Sequence, residues 1–210
     1  GRRAVELFMQ DYFRHATKVG ELTRIFLTEL EARHAKREPM FLLPRRRKLR
    51  PQYKLIQGRI GIVDPDLFLA DKLNLLRIFE ESLRTAYLLH PDAMRLVAAN
   101  LSRIDVGMLA DREANRIFLD TLLKHGNPER ALRHMNELGV LGAFIPEFER
   151  IVAMMQFNVY HHYTVDEHTI QTISTLAEIE RGELSDDLPI ASGILTEGVN
   201  RRVLYLALLL

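Results

Sequence analysis

Cysteine is absent from all 210 positions. That excludes disulfides, zinc–thiolate centres and cysteine nucleophiles, and it fits a reducing, cytoplasmic setting. No apolar run reaches the roughly 18 residues that a membrane-spanning helix needs, and the opening residues read as helix rather than as a secretory leader. Excess charge is missing too. Lys and Arg number 29 against 28 Asp and Glu, a net charge of +1. This argues against a general nucleic-acid or membrane-surface binder. Gly58 and Gly61 have the spacing of part of a phosphate loop, but the Lys-Ser/Thr pair and the strand-to-helix context are lacking.

What is present is ordinary for a soluble globular chain, with 47% hydrophobic and 27% charged residues, enough for one or two domains with a sizeable core. Residues 3–37 read as one long amphipathic helix, with Val5, Phe8, Met9, Tyr12, Val19, Leu22, Phe26 and Leu30 at spacings of three and four. His15 falls on its apolar side, where a packed core histidine is expected. Pro39 stops it. Arg45, Arg46, Arg47, Lys48 and Arg50 then form a basic run, read as a solvated loop rather than a phosphate site because nothing aromatic interleaves it. Residues 53–63 are strand-like and suit a short hairpin. From Asp64 onward helices dominate. Asp64-Pro65, His90-Pro91 and Asn127-Pro128 each pair a capping residue with a proline suited to a first helical turn. The helix opened by Asp64 is expected to run through Leu67, Phe79 and Leu88. Gly126 and Gly139 read as stops. Leu204 to Leu210 close the chain on a run expected to continue as a buried helix. The expected fold class is all-α, a helical bundle with at most one short β-hairpin.

The chemistry-bearing residues concentrate in one stretch. His161, His162 and His168 lie within eight positions and include three of the eight histidines, with Asp166 and Glu167 just before the last. His90, His125 and His134 lie at helix edges and read as caps or surface residues. Thr164 to Glu167 has the pattern of a capping box, in which Thr164 accepts from the Glu167 backbone N–H and Glu167 reaches back. Val165, His168, Thr172 and Leu176 would then share one face, directing His168 into the core. A buried histidine there would need a metal, a carboxylate or a backbone carbonyl as partner. No complete ligand-spacing motif such as His-Glu-x-x-His is present, and Asp166 and Glu167 are assigned to the helix start.

Tyr160-His161-His162-Tyr163-Thr164-Val165-Asp166-Glu167-His168-Thr169 resembles the opening segment of an HD-superfamily phosphohydrolase domain. More narrowly, residues 155–169 resemble the bifunctional uridylyltransferase/uridylyl-removing family that acts on the PII nitrogen-regulatory protein. Gly139 to Phe148, residues 64–79 and residues 5–30 resemble, in order, other parts of the same family, so the likeness covers nearly the whole chain. The resemblance implies a helical domain over residues 1–150 that follows a nucleotidyltransferase domain. Residues 151–210 would be the first part of an HD domain, ending before its adjacent His-Asp ligand pair. It implies His168 as a ligand of a divalent metal, Mg²⁺ or Mn²⁺, and His161 and His162 as candidate catalytic residues near the phosphate. It implies uridylyl transfer from UTP and removal as UMP in the whole enzyme, with PII as partner and neither membrane nor nucleic acid. The 210 residues by themselves are expected to have neither activity. The alternatives are a non-catalytic helical interaction module and another HD-superfamily nucleotide phosphohydrolase.

Overall fold

The computed structural model describes residues 4–34, 48–155, 164–196 and 199–210. The histidines His161 and His162 and the arginines Arg45, Arg46 and Arg47 lie outside the described residues.

The long first helix, α1, spans Ala4–His34. A hairpin follows, β1 Tyr53–Ile56 and β2 Arg59–Ile62, antiparallel with Tyr53 opposite Ile62. Its two-residue turn places Gln57 at φ 50° and Gly58 at φ 73°, the left-handed pair that matches the twist of adjoining strands. A Cβ at Gly61 would overlap the Ile56 side chain, which would have to shift to admit it. A short parallel bridge between Ile60 and Leu89 ties the hairpin to the helices.

Several of the helices that follow are short and begin on a side-chain cap. Asp64 begins α2, Pro65–Ala70, by accepting from the N–H groups of Asp66 and Leu67. The single helix expected from Asp64 is in fact two. Asp71 turns extended, and its carboxylate accepts from the Leu73 N–H at 3.0 Å, so α3 restarts at Asn74–Thr85. His90 caps α4, Pro91–Ala98, accepting through Nδ1 from the Asp92 N–H. A 3-10 turn at Leu101–Arg103 and the four-residue α5, Val106–Leu109, lead to α6, Arg112–Leu123, capped by Asp111. Then come α7 Glu129–Glu137, α8 Val140–Phe144, α9 Pro146–Glu149, α10 Val165–Glu180, α11 Pro189–Thr196 and α12 Arg201–Leu209. The all-α expectation holds, with one hairpin among the described residues.

One apolar core unites α3, α4, α6, α7, α8, α10 and α12, with Phe79, Leu75, Phe148, Ile170 and Tyr205 fully enclosed. The Phe118 and Phe144 rings meet at a tilt of 49°, 5.3 Å between centroids. A buried ionic cluster stands beside it. Glu81 is fully buried, accepting from the Arg50 N–H at 3.0 Å and from Arg84 Nη2 at 2.6 Å. Glu80 takes both guanidinium nitrogens of Arg50, at 2.9 and 3.2 Å. Arg50 is therefore pinned to α3 rather than solvated with the rest of the basic run. His125, expected as a cap or surface residue, lies 3.3 Å from the Glu80 carboxylate.

The stripe of α1 departs most from expectation. Phe8, Tyr12, Val19, Leu22 and Phe26 are all exposed, and His15 is exposed with them. The helix touches the body with its other face, where Gln10 donates to the Val152 carbonyl at 3.1 Å. No helix among the described residues is long and apolar enough to cross a membrane.

Candidate functional site

The start of α10 is fixed by the backbone. The Val165 N–H donates to the Met154 carbonyl at 2.7 Å, and the His168 N–H to the Thr164 carbonyl at 2.9 Å. The capping box does not form, because the Thr164 side chain makes no cap hydrogen bond. Glu167 turns instead to α7, where its carboxylate pairs with the Arg133 guanidinium. Arg133 also holds Glu129 at 2.7 Å. Glu129 accepts from the Ser174 hydroxyl at 2.8 Å, and Ser174 accepts from Asn127 at 2.7 Å. Ser174 is wholly buried, so this chain of bonds locks α10 to α7 from two points a helical turn or more apart.

That lock sets the phase of α10, and it is not the expected phase. Asp166, Ile170, Ile173, Ser174, Leu176 and Ala177 face inward. His168, two residues past Asp166, lies about 200° around the helix from it and is exposed. The physical reason is that Asp166 is not a surface residue. It is only 4% exposed, and its Oδ2 accepts from the Asn136 side-chain amide at 2.8 Å. Once the carboxylate has that partner, burying it with Ile170, Ile173 and Ala177 removes more apolar surface from water than burying Val165, His168 and Thr172. Asp166 and Glu167 thus serve as contacts to α7, not as helix-start residues alone.

Electrostatically the junction is acidic. Burial lifts the Glu167 carboxyl above the usual glutamate range; the Arg133 charge opposes this, while Asp166, Glu137 and Glu129 reinforce it. At the other end of α10, Glu180 accepts from the Arg201 guanidinium and from the Tyr205 hydroxyl at 2.8 Å. Burial would raise the Glu180 carboxyl, but those two hydrogen bonds bring it below its ordinary value.

Among the described residues no three His, Asp or Glu side chains converge in a way that could hold a metal. His168 is presented outward, and the inward carboxylate nearest it in sequence, Asp166, has one oxygen bonded to Asn136 of α7. The described residues therefore do not assemble the implied divalent-metal centre. Asn136, Arg133, Ser174 and Glu129, which orient the helix carrying His168, escaped sequence reasoning; the only local signal was the helical spacing of Glu129 and Arg133 on α7.

Comparison with known proteins places this geometry in context. Residues 53–144 match the family described as the uridylyltransferase GlnD third domain. The whole chain is 75% identical to part of a bifunctional uridylyltransferase/uridylyl-removing enzyme from Cereibacter sphaeroides. It is 71% identical to one from Ruegeria pomeroyi and 44% identical to one from Novosphingobium aromaticivorans. In each case all of this chain is covered, and it spans 23% of the relative's length. No solved structure matches. From end to end, the chain is similar to a segment of bifunctional uridylyltransferase/uridylyl-removing enzymes, and its middle to the third domain of that family.

Proposed function

We propose that this segment serves the uridylyl-removing half of an enzyme that both attaches UMP to the PII signal protein, from UTP, and hydrolyses it off again, in the cytoplasm. The observation that carries this reading is the 75% identity over the entire chain to an enzyme named for both activities. Residues 1–150 act as the helical scaffold, and residues 151–210 open the hydrolytic HD domain. His168 supplies one ligand of a Mg²⁺ or Mn²⁺ site, with the remaining ligands drawn from outside the described residues. Its exposed, outward position on α10 fits a ligand set completed from elsewhere in the protein. The chain's own contribution is orientation: Asn136 and Arg133 fix the rotation of α10 and so the direction of His168. His161 and His162 are the candidates for contact with the phosphodiester. The 210 residues alone are inactive.

His168→Ala in the full-length enzyme tests this. UMP release from uridylylated PII should fall to background while transfer from UTP persists. Equal loss of both activities, or retention of both, overturns the assignment of His168. A panel of uridylylated PII and free nucleotides as substrates distinguishes this from another HD phosphohydrolase.

A second reading, a helical module that binds or spaces its neighbours without chemistry of its own, is favoured by the exposed apolar face of α1. Binding of PII without effect of His168→Ala on either activity would support it.

A further inference from the structure

α1 meets the rest of the molecule with the wrong chemistry for simple packing. Its apolar side chains Phe8, Leu22 and Phe26 stay exposed, while Gln10 is only 6% exposed. A polar side chain is costly to bury unless it is hydrogen-bonded, and Gln10 Nε2 donates to the Val152 carbonyl at 3.1 Å. One turn further along α1, Arg14 lies 3.7 Å from Glu149, but that pair is about half exposed and holds weakly. The buried amide is the firmer tie.

The Val152 carbonyl belongs to a turn under strain. The Met154 N–H closes it on the Ile151 carbonyl at 3.0 Å, and Ala153 within it sits at φ 55°. An alanine rarely takes that left-handed conformation and persists in it only where its surroundings hold it. Bonds on both sides do so here. Gln10 fixes the Val152 carbonyl before Ala153, and beyond it the Met154 carbonyl accepts from the Val165 N–H at 2.7 Å. That second bond opens α10. His168 lies in the same first turn, its own N–H bonded to the Thr164 carbonyl. Alongside, a cavity of about 760 Å³ lies between Arg14, Thr17 and Lys18 of α1 and Thr164, Asp166 and Glu167 at the start of α10. The hydrogen-bonded route from α1 to α10 therefore runs through the turn.

We infer that Gln10 is a positioning residue for uridylyl removal: by holding the turn at residues 151–154, α1 sets the first turn of α10 and with it the place of His168. The functional part of this inference rests on the role of His168 proposed above.

The test is hydrogen exchange on the full-length enzyme, read beside its two activities. Gln10→Met keeps the length of the side chain and removes the donor. Exchange in the peptide covering residues 164–170 should quicken about fivefold, with the α3 and α6 peptides unmoved. UMP release from uridylylated PII should fall in kcat by about the same factor, with KM and transfer from UTP unchanged. Adding Ala153→Gly should restore both, because glycine takes a left-handed φ without strain and no longer needs Gln10 to hold it. Unchanged exchange at residues 164–170, faster exchange spread evenly over the core, or no restoration by Ala153→Gly overturns the inference. So does UMP release that Gln10→Met leaves unchanged while His168→Ala abolishes it. Should Gln10→Met fold poorly, Gln10→Glu, which keeps the shape and loses the amide donor, takes its place. If His168→Ala leaves removal intact, the role of His168 fails, and the exchange result still decides whether Gln10 holds α10.

Discussion

Glu81 shows how one residue can constrain its surroundings. A fully buried carboxylate is tolerable only with its lone pairs occupied, and here the Arg50 backbone and the Arg84 side chain occupy them. Glu81→Ala leaves Arg84, itself largely shielded, without its counter-charge. The expected loss is about 3 kcal/mol, read as a lower urea midpoint with an unchanged slope. Its neighbour Glu80 sets a pH dependence. Burial would raise its pKa, yet the Arg50 hydrogen bond and charge, with His125, hold it below the ordinary glutamate value. A lowered folded pKa gives stability that is full above the unfolded value and is lost as pH falls through the folded one. Glu80→Gln should therefore flatten the acid limb of the stability profile while leaving its neutral-to-basic shape alone. An acid limb as steep as that of the unaltered protein would remove Glu80 from the account. None of this network was legible in the sequence, where Arg50 looked like the end of a basic run, because its partners sit 30 residues or more away.

At the scale of elements, most local signals match the structure, the unformed capping box at Thr164 and the break at Asp71 excepted. The Asp64, His90 and Asn127 starts, the hairpin turn and the stop at Gly139 all depend on neighbours within three residues. The phase of α10 depends on α7, and there sequence and structure differ: the pattern assigns Asp166 to the helix start and His168 to the core, whereas Asn136 makes burial of Asp166 acceptable. Ile170, Ile173 and Ala177 carried the correct phase, and greater weight on them than on the histidine would have found it. The consequence is testable. If α7 aims His168 by holding α10, Arg133→Ala should lower uridylyl removal by about tenfold and leave transfer intact. It should also raise the metal concentration needed for half activity, and Arg133→Lys should restore part of the loss. A merely structural role would depress both activities together without changing the metal requirement. At the far end of the same helix, Tyr205→Phe deletes a single hydroxyl bond to Glu180. A loss of about 1–2 kcal/mol is expected, accompanied by faster hydrogen exchange confined to α10 and α12.

For the whole molecule, the unresolved physical problem is α1. Its 31 residues project a stripe in which Phe8, Leu22 and Phe26 are 68%, 65% and 63% exposed, while its contact with the body rests on polar anchors such as Gln10 and Arg14. A contiguous apolar face of this length is costly in water and drives association when nothing covers it. The spacing from Val5 to Phe26 was legible as amphipathic; which side would meet the body was not, because periodicity fixes a face and says nothing about its partner. The 210-residue chain on its own should therefore associate as its concentration rises, in light scattering or sedimentation. Changing Phe8, Leu22 and Phe26 together to Glu should abolish that association. The same triple change should leave the melting of the α3–α10 core unmoved, since none of the three side chains contributes to the enclosed cluster. Two results would contradict this account. Association unaffected by the triple change would place the adhesive surface elsewhere. A core that melts at lower temperature in the variant would mean that the stripe packs against the body after all.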